Sequence, residues 1–518
     1  MRQRWLHVDD SSSHLRSDGV SRGGWSPGNR SRATLSPTPG GSSSSRGPAG
    51  PSVRSRTAAI AGGWTARGKL LLASQLRRNI AIGTGMAVVS AFLSFLSYPI
   101  YLHFLGYRQY GVWLAVSTVL TFAQLGNFGI NPAVSKFVAE SHGSGDFTAV
   151  RRCLTTAWIA LTLSSVSALC AVLLLREKIV DLFRLSGGEA RLMLELLPFV
   201  AVLSAYVFIV ESMNAAVVGL GRTDLESYYR AIGQSVTVTI SAILLLRGYG
   251  VFSLLIGNFL AYMTMHLLSL AKVRREVGSK LLCLDGLTVS GLTKMLGFGS
   301  WVFGSSLVNM TLTPINRVLI SRYAGIAALP LYEIAFGSSM KIRSLLESGI
   351  RAMMPEISRL GAGLAWHSRK RADTLNRAGM KLIFRLGLPL YATLLVFARP
   401  VLRIWLRSQF QEGFTPIFRI MLIGSFLSLL CVPAYYILMG LGEARRCFLS
   451  AVIQWVGTFL TMGMFVITAG TLTVVFVGMS LSVGIGLCTI YVLWTLHRFT
   501  ASVRLNASLV NGAPVVAD

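Results

Sequence analysis

The sequence predicts an all-α polytopic membrane protein with about twelve transmembrane helices in two parallel six-helix pseudo-repeats. Three observations lead to this fold class. Hydrophobic residues make up 53% of the 518 residues and charged residues only 14%, whereas a typical soluble domain has about 25% charged residues. Apolar stretches long enough to cross a bilayer, about 20 residues each, recur along the chain. Short motifs of the first half reappear in the second half in the same order.

Twelve apolar windows meet the length that a transmembrane helix needs. The eighth window is the least regular, because it contains Lys341, Arg343 and Glu347. The windows are 79–102, 110–130, 154–175, 194–218, 229–246, 251–271, 296–320, 330–355, 380–398, 417–439, 448–469 and 472–495. They divide the chain into a tail (1–78), an N-terminal six-helix bundle (79–271), a basic cytoplasmic connector (272–295), a C-terminal six-helix bundle (296–495) and a C-terminal tail (496–518).

The repeat is carried by five short matches at a nearly constant offset. The pairs are 98–100 with 313–315, 130–137 with 353–360, 179–183 with 401–405, 216–221 with 437–442, and Gln234 with Gln454. Each match alone is weak, but chance does not readily produce five in the same order. Each half has an even number of spans, so both halves enter the membrane from the same side. Paired bundles of this kind place the substrate path between the halves and work by rocking one against the other.

The net charge of +28 would suggest nucleic-acid binding in a soluble protein. Here the excess Lys and Arg residues lie in residues 1–78 and in the connectors after even-numbered spans, as the positive-inside rule requires. We therefore expect no nucleic-acid partner, and we expect both termini in the cytoplasm.

Residues 1–78 are rich in Ser, Gly, Pro and Arg. Such a composition cannot bury enough apolar surface to offset the loss of conformational entropy on folding, so we expect a disordered basic tail. Three interpretations stay open for it. It is a dispensable extension or a gene start assigned too far upstream, an organelle-targeting peptide, or a segment that contacts anionic lipid.

The sequence gives no sign of an enzyme, a metal site or a cofactor. The six cysteines are scattered through apolar stretches without a CxxC pair, which is typical of small buried hydrophobic residues. The chain has no P-loop, no GxSxG motif and no paired carboxylates in an extramembrane loop. Without a Walker motif, transport would draw on an ion gradient, the membrane potential or downstream consumption of the product.

Three stretches carry a resemblance to a known family. They are 104–113 with its continuation to 125–130, 315–325, and 401–406 followed by the Gly-Leu-Gly turn at 440–442. Over roughly 78–495 the chain resembles the Wzx-type polysaccharide and O-antigen flippases of the multidrug/oligosaccharidyl-lipid/polysaccharide (MOP) exporter superfamily.

The resemblance implies a MATE-like fold, with N- and C-lobes around a central cavity, in a bacterial inner membrane. It also implies transport of a polyprenyl-pyrophosphate-linked oligosaccharide by alternating access, with membrane lipid and a polysaccharide polymerase as candidate partners. Asn127 and Asn316 stand where many relatives have Asp. Both differences remove a carboxylate that could carry a proton, so the coupling ion is left open.

Basic and polar residues inside the C-terminal spans are candidates for binding the substrate. A guanidinium group matches a phosphate with two hydrogen bonds and stays charged, and ionisable residues inside a membrane usually face a cavity or a partner. The substrate-binding candidates are Arg317, Lys341, Arg343, Arg385, Asn309 and Asn316. The alternative for Arg343 is a self-neutralised ladder with Glu347 and Arg351, because these residues are four apart on one helix face.

Glu211 and Glu347 are the candidates for ion coupling. Glu211 lies within the fourth span, and its helix face is expected to include Ser204 and Asn214. The alternative is a neutral carboxyl group, or one that is hydrogen-bonded to a neighbouring helix.

Three other functions stay open beside the flippase. The first is a MATE-type cation or drug antiporter, whose cavity should be lined by carboxylates. The second is a flippase for the lipid-linked peptidoglycan precursor. The third is a membrane enzyme such as a glycan polymerase or ligase, which would need a large external loop.

Overall fold

The computed structural model describes residues 53–278, 289–351, 365–441 and 443–511. The chain divides into two units, residues 1–67 and 68–518, and the second unit contains all the packing described below. Within the described ranges the regular secondary structure is helical throughout. Residues 1–52 lie outside these ranges, so the disordered tail stays a prediction.

Fifteen α-helices, numbered in chain order, make up the described chain. They are α1 (Val53–Ala123), α2 (Ile130–Gly143), α3 (Phe147–Leu174), α4 (Arg176–Leu182), α5 (Gly187–Gly219), α6 (Thr223–Leu246), α7 (Phe252–Val277), α8 (Val289–Ala324), α9 (Leu329–Arg351), α10 (Ala365–Leu382), α11 (Leu388–Val396), α12 (Ala398–Leu406), α13 (Phe414–Gly440), α14 (Ala444–Ala469) and α15 (Val474–Asn511). Short 3₁₀ turns and one π-helical segment join some of them.

The helices confirm the predicted polytopic fold. Nine helical stretches within the described ranges are long and apolar enough to cross a membrane. The first, Ile82–Phe122, contains 41 residues and holds two predicted spans, separated at Gly106, where φ is 65°. The seventh and eighth predicted spans lie on α8 and α9, and the end of window 330–355 falls outside the described residues.

The second predicted span is not one continuous helix, which corrects the window 110–130. A 3₁₀ turn occupies Gln124–Asn127, and Phe128 and Gly129 follow with φ values of 46° and 75°. A left-handed conformation at a non-glycine residue costs about 1–2 kcal/mol, and Phe128 adopts it although its side chain is 49% exposed. The chain resumes as α2 at Ile130.

The ninth predicted span is also irregular. A π-helical segment, Ile383–Gly387, separates α10 from α11, and π-helical turns of this kind are often found at functional sites. In this part of the span Ile383, Gly387 and Tyr391 are buried, and the residues between them are exposed.

Each bundle contains a tightly packed pair of helices that a glycine makes possible. In the first bundle α6 and α7 approach so closely at Gly257 that a Cβ atom there would overlap the hydroxyl of Ser241. In the second bundle α14 and α15 do the same at Gly484, where a Cβ atom would overlap the hydroxyl of Thr458. These pairs are spans five and six and spans eleven and twelve, so the last two helices of each half pack closely at a glycine.

Candidate functional site

The two bundles meet at a set of contacts on the side that the predicted orientation assigns to the outside, and we call this set the outer seam. The first bundle contributes Phe95, Tyr98, Tyr107, Ser117 and Phe183. The second bundle contributes Arg317, Ser321, Gly337, Trp405 and Gln409. The Trp405 ring donates from Nε1 to the carbonyl of Phe95 at 2.9 Å. The Ser321 hydroxyl donates to the carbonyl of Phe183 at 2.8 Å.

Arg317 is the most connected side chain of the outer seam. Its Nη2 lies 2.8 Å from Oε2 of Glu333, and its Nη1 donates to Ser117 and Thr118 of α1 at 3.2 and 3.4 Å. The side chains of Arg317 and Glu333 are only 11% and 17% exposed. In this conformation Arg317 therefore joins the bundles and has its charge paired, which leaves little of it to hold a phosphate.

The sequence did not single out Glu333, because its partner Arg317 lies sixteen residues earlier on another helix. The sequence signal that could have found Glu333 is its position near the start of the eighth window, where a carboxylate is unusual inside a span.

Asn316 is held inside the second bundle. Asn316 is fully buried and donates from Nδ2 to the hydroxyl of Tyr332 at 3.0 Å. It thus fixes α8 against α9 from the inside and does not reach an open surface. The side chain of Asn309 lies outside the described residues.

Helix α9 contacts the first bundle at Gly337. Glu333, Gly337 and Lys341 are spaced by four and so lie above one another on the helix. Glu333 binds Arg317 of the outer seam, and Gly337 packs against the Tyr98 hydroxyl of α1. Lys341 follows about 6 Å further along the axis, is half-buried, and forms no ion pair with any described residue.

Arg343 points to the other side of α9, into the second bundle. There it lines a cavity of about 290 Å³, the second-bundle cavity, with Glu347, Tyr436, Gln454 and Ser450 among the other lining residues. Arg343 Nη1 lies 3.3 Å from Oε2 of Glu347, and Tyr436 donates to Oε1 of Glu347 at 2.6 Å. The Nε of Arg343 is buried without a hydrogen-bond partner. The Arg343–Glu347 part of the predicted ladder is therefore formed, while the side chain of Arg351 lies outside the described residues.

Glu211 is held by an arginine of the neighbouring helix. Arg230 of α6 donates to both carboxylate oxygens of Glu211, at 2.8 and 3.2 Å, and also pairs with Glu226. The side chain of Arg230 is 50% exposed. Asn214, expected on the same face, is buried and accepts a hydrogen bond from Ser269 at 2.6 Å instead. The sequence analysis did not pair Arg230 with Glu211, because the two residues lie on different helices and only the fold brings them together.

Arg385 lies on the π-helical segment and is exposed between Phe384 and Leu386, which are 49% and 53% exposed. Lys381 precedes it by four residues and is also exposed. Among the described contacts none joins Arg385 to Lys341 or Arg343. The structure thus distributes the predicted cations over four environments: the outer seam, the face of α9, the second-bundle cavity and the periphery.

Comparison with known proteins agrees with this architecture. The family described as polysaccharide biosynthesis protein matches residues 76–361. A putative O-antigen transporter of Shigella flexneri is 20% identical over 346 residues, which cover 66% of this chain and 79% of that protein.

Two solved structures share the fold. A MATE family multidrug resistance transporter of the MOP superfamily, in an inward-facing conformation, superposes with a TM-score of 0.64 at 16% identity and covers 82% of this chain and 98% of its own. The lipid II flippase MurJ, in an inward closed conformation, superposes with a TM-score of 0.66 at 14% identity and covers 83% and 90%. The predicted resemblance is confirmed: this integral membrane protein belongs to the polysaccharide biosynthesis protein family and has the fold of the MOP superfamily.

Proposed function

We propose that the protein is a flippase that moves a polyprenyl-pyrophosphate-linked oligosaccharide across the inner membrane for polysaccharide export. The observation that carries the proposal is the position of Lys341 on α9, where it has no ion-pair partner among the described residues. It lies one turn from Gly337, which contacts Tyr98 of the first bundle in the outer seam. A pyrophosphate that enters between the bundles from the inner side would meet this ammonium group before it reached the seam.

Release on the outer side requires the seam to open. Separation of the bundles breaks the hydrogen bonds from Arg317 to Ser117 and Thr118 but leaves the ion pair with Glu333, because both of its partners belong to the second bundle. The freed Nη1 of Arg317 then becomes a second donor for the phosphates. Lys341 and Arg317 would act in succession, the first in the inward state and the second during opening.

The proposal includes coupling to an ion gradient through Glu211. Protonation of Glu211 removes its charge and weakens its hold on Arg230, which remains paired with Glu226. Glu347 is the second candidate, but its carboxylate is engaged by both Arg343 and Tyr436. We therefore assign the coupling role to Glu211 first.

The remaining parts of the proposal follow from the same transport cycle. Both termini lie in the cytoplasm, and a polysaccharide polymerase on the outer side consumes the flipped glycan. Transport needs no cofactor and no nucleic acid in this scheme. A drug antiporter or a peptidoglycan-precursor flippase would use the same fold, and the choice of substrate in the assay separates them.

Purified protein in vesicles tests the role of Lys341. Loss of one charge-assisted hydrogen bond costs about 1.5–3 kcal/mol, so Lys341→Gln should lower the rate of flipping of a labelled lipid-linked oligosaccharide about 10- to 100-fold. Lys136→Gln is the matched control, because Lys136 pairs with Glu140 on the surface, and it should change the rate by less than about twofold. Wild-type protein that does not flip the labelled lipid, or equal rates for both variants, would refute the proposal.

The coupling role has its own readout. In wild-type vesicles a pH gradient should accelerate flipping, whereas Glu211→Gln should flip at a rate that no longer responds to the gradient. Glu226→Gln removes the other carboxylate that holds Arg230 and should keep the response. A Glu211→Gln variant with a normal gradient response would assign coupling elsewhere.

A further inference from the structure

A cavity in the first bundle is lined mainly by residues of α1, α3 and α4. It has a volume of about 790 Å³, within the range of small-molecule binding pockets, about 300–1,000 Å³. We call it the first-bundle groove. Its lining residues are Thr118, Val119, Phe122, Gly126, Phe128, Ile130, Ala160, Leu163, Ser164, Ser167, Ala168, Ala171, Val172, Ile179, Leu182 and Phe183.

The groove offers no charged side chain to a ligand. None of its lining residues is ionisable. Its three hydroxyl groups are all directed to backbone carbonyls: Ser164 donates to Gly126 at 2.5 Å, Ser167 to Leu163 at 3.0 Å and Thr118 to Leu114 at 2.8 Å. A phosphate or sugar would lose its hydration here without compensation, so the groove suits a hydrocarbon chain.

The break in the second span shapes the groove. Small residues of α3, namely Ala160, Ser164, Ala168 and Ala171, form its floor because they recur at helical spacing. The left-handed turn at Phe128 and Gly129 interrupts the wall that a continuous second span would provide. The groove is open to its surroundings, since Leu163 and Phe128 are 70% and 49% exposed.

The groove is continuous with the outer seam. Thr118 lines it and also receives a hydrogen bond from Arg317 of the second bundle at 3.4 Å. Phe183 also lines it, and the carbonyl of Phe183 receives the bond from Ser321 of the second bundle. A chain seated in the groove would therefore lie beside the contacts that must part when a headgroup leaves on the outer side.

We propose that the first-bundle groove binds the isoprenoid chain of the carrier lipid while the charged headgroup passes between the bundles. This inference rests on the proposed function, because it assigns to the groove the apolar part of the same substrate. The chain and the headgroup are then recognised by different bundles, the chain by α1, α3 and α4 and the headgroup by α9.

Photo-crosslinking tests the assignment with full-length protein in phosphatidylcholine vesicles. The probe is a polyprenyl phosphate that carries a benzophenone at the end of its chain, and labelled peptides are identified by mass spectrometry. We expect labelling within residues 160–172 of α3. Unlabelled polyprenyl phosphate should compete with the probe, whereas the same excess of phosphatidylglycerol should not.

Two tryptophan substitutions on the same helix supply the matched control. Ala168→Trp fills the floor of the groove and should lower the labelling at least about fivefold, equivalent to about 1 kcal/mol. Val166→Trp adds the same ring at a position that is 49% exposed and does not line the groove, and it should leave labelling unchanged.

The proposal is overturned if α3 is not labelled, if phosphatidylglycerol competes equally well, or if both tryptophan variants behave alike. Equal competition would show that bulk lipid fills the groove. Wild-type protein that flips the labelled oligosaccharide but gives no labelling of α3 would remove the groove from the mechanism and leave the proposed function intact.

Discussion

The two bundles share a framework but enclose opposite environments. The first-bundle groove measures about 790 Å³ and has no ionisable lining residue. The second-bundle cavity measures about 290 Å³ and contains Arg343 and Glu347. Every hydroxyl of the groove has a backbone partner, whereas Nε of Arg343 has none. The two halves therefore differ in their side chains, which give one half an apolar space and the other a charged one.

The largest effect that would sharpen this contrast is expected at Glu347. Glu347→Ala leaves the guanidinium of Arg343 in the second-bundle cavity without its carboxylate and takes away the acceptor of the Tyr436 hydroxyl. Removal of one partner of a buried pair typically costs about 3–5 kcal/mol. We expect the apparent melting temperature in detergent to fall sharply.

The matched control is an exposed pair of the first bundle. Glu195 pairs with Arg191 at 3.1 Å, and their side chains are 51% and 84% exposed. Glu195→Ala should therefore cost about 0.2–1 kcal/mol. If both variants melted alike, the second-bundle cavity would be as well hydrated as the surface, and the contrast between the bundles would be lost.

A smaller effect tests the framework that the bundles have in common. Gly257→Ala and Gly484→Ala each place a methyl group against a hydroxyl and a backbone carbonyl of the neighbouring helix. Overpacking of this kind costs about 1–3 kcal/mol, so both variants should unfold at lower temperature by similar amounts.

Gly463→Ala provides the control, because no atom lies within 4 Å of its added methyl group. It should be neutral or slightly stabilising, by up to about 1 kcal/mol. A large effect at one glycine and none at the other would mean that the two helix pairs are not equivalent.

The framework could be predicted from the sequence because it depends on long-range periodic signals. Twenty-residue apolar windows can be recognised without knowledge of any contact, and most of them coincide with helical stretches that are long and apolar enough to cross a membrane. The geometry of the breaks could not be predicted in the same way. Gly126, Asn127 and Gly129 mark a break around Phe128 but do not indicate its φ of 46°, and the π-helical segment Ile383–Gly387 has only Gly387 as a mark.

The candidate site was predicted less well, for a physical reason. Spacing by four identifies ion pairs within one helix, and it found Arg343 with Glu347. The pairs of Arg317 with Glu333 and of Arg230 with Glu211 join different helices, so nothing in the local sequence marks them. The same limitation applies to Lys341, because the contact of its helix with the first bundle, between Gly337 and Tyr98, joins residues far apart in the sequence.

The smallest effect compares the short outer helices, α4 of the first bundle and α12 of the second. Glu412, just before α13, accepts hydrogen bonds from Arg399 and Arg403 of α12, each at 2.7 Å. The hydrogen bond from Arg399, followed by that from Arg403, lowers the pKa of Glu412 below its ordinary value of 4.5. The ionised carboxylate therefore stabilises α12 above that pH, and this stabilisation disappears as the pH falls through the lowered pKa.

Hydrogen exchange in α12 should be faster in Glu412→Gln than in the wild type at neutral pH, and the difference should vanish in acid. Glu177→Gln in α4, whose carboxylate has no ion pair with any described residue, should leave exchange in α4 unchanged at either pH. A change of equal size in both helices would show that general surface charge, and not the arginine clamp on Glu412, sets their stability.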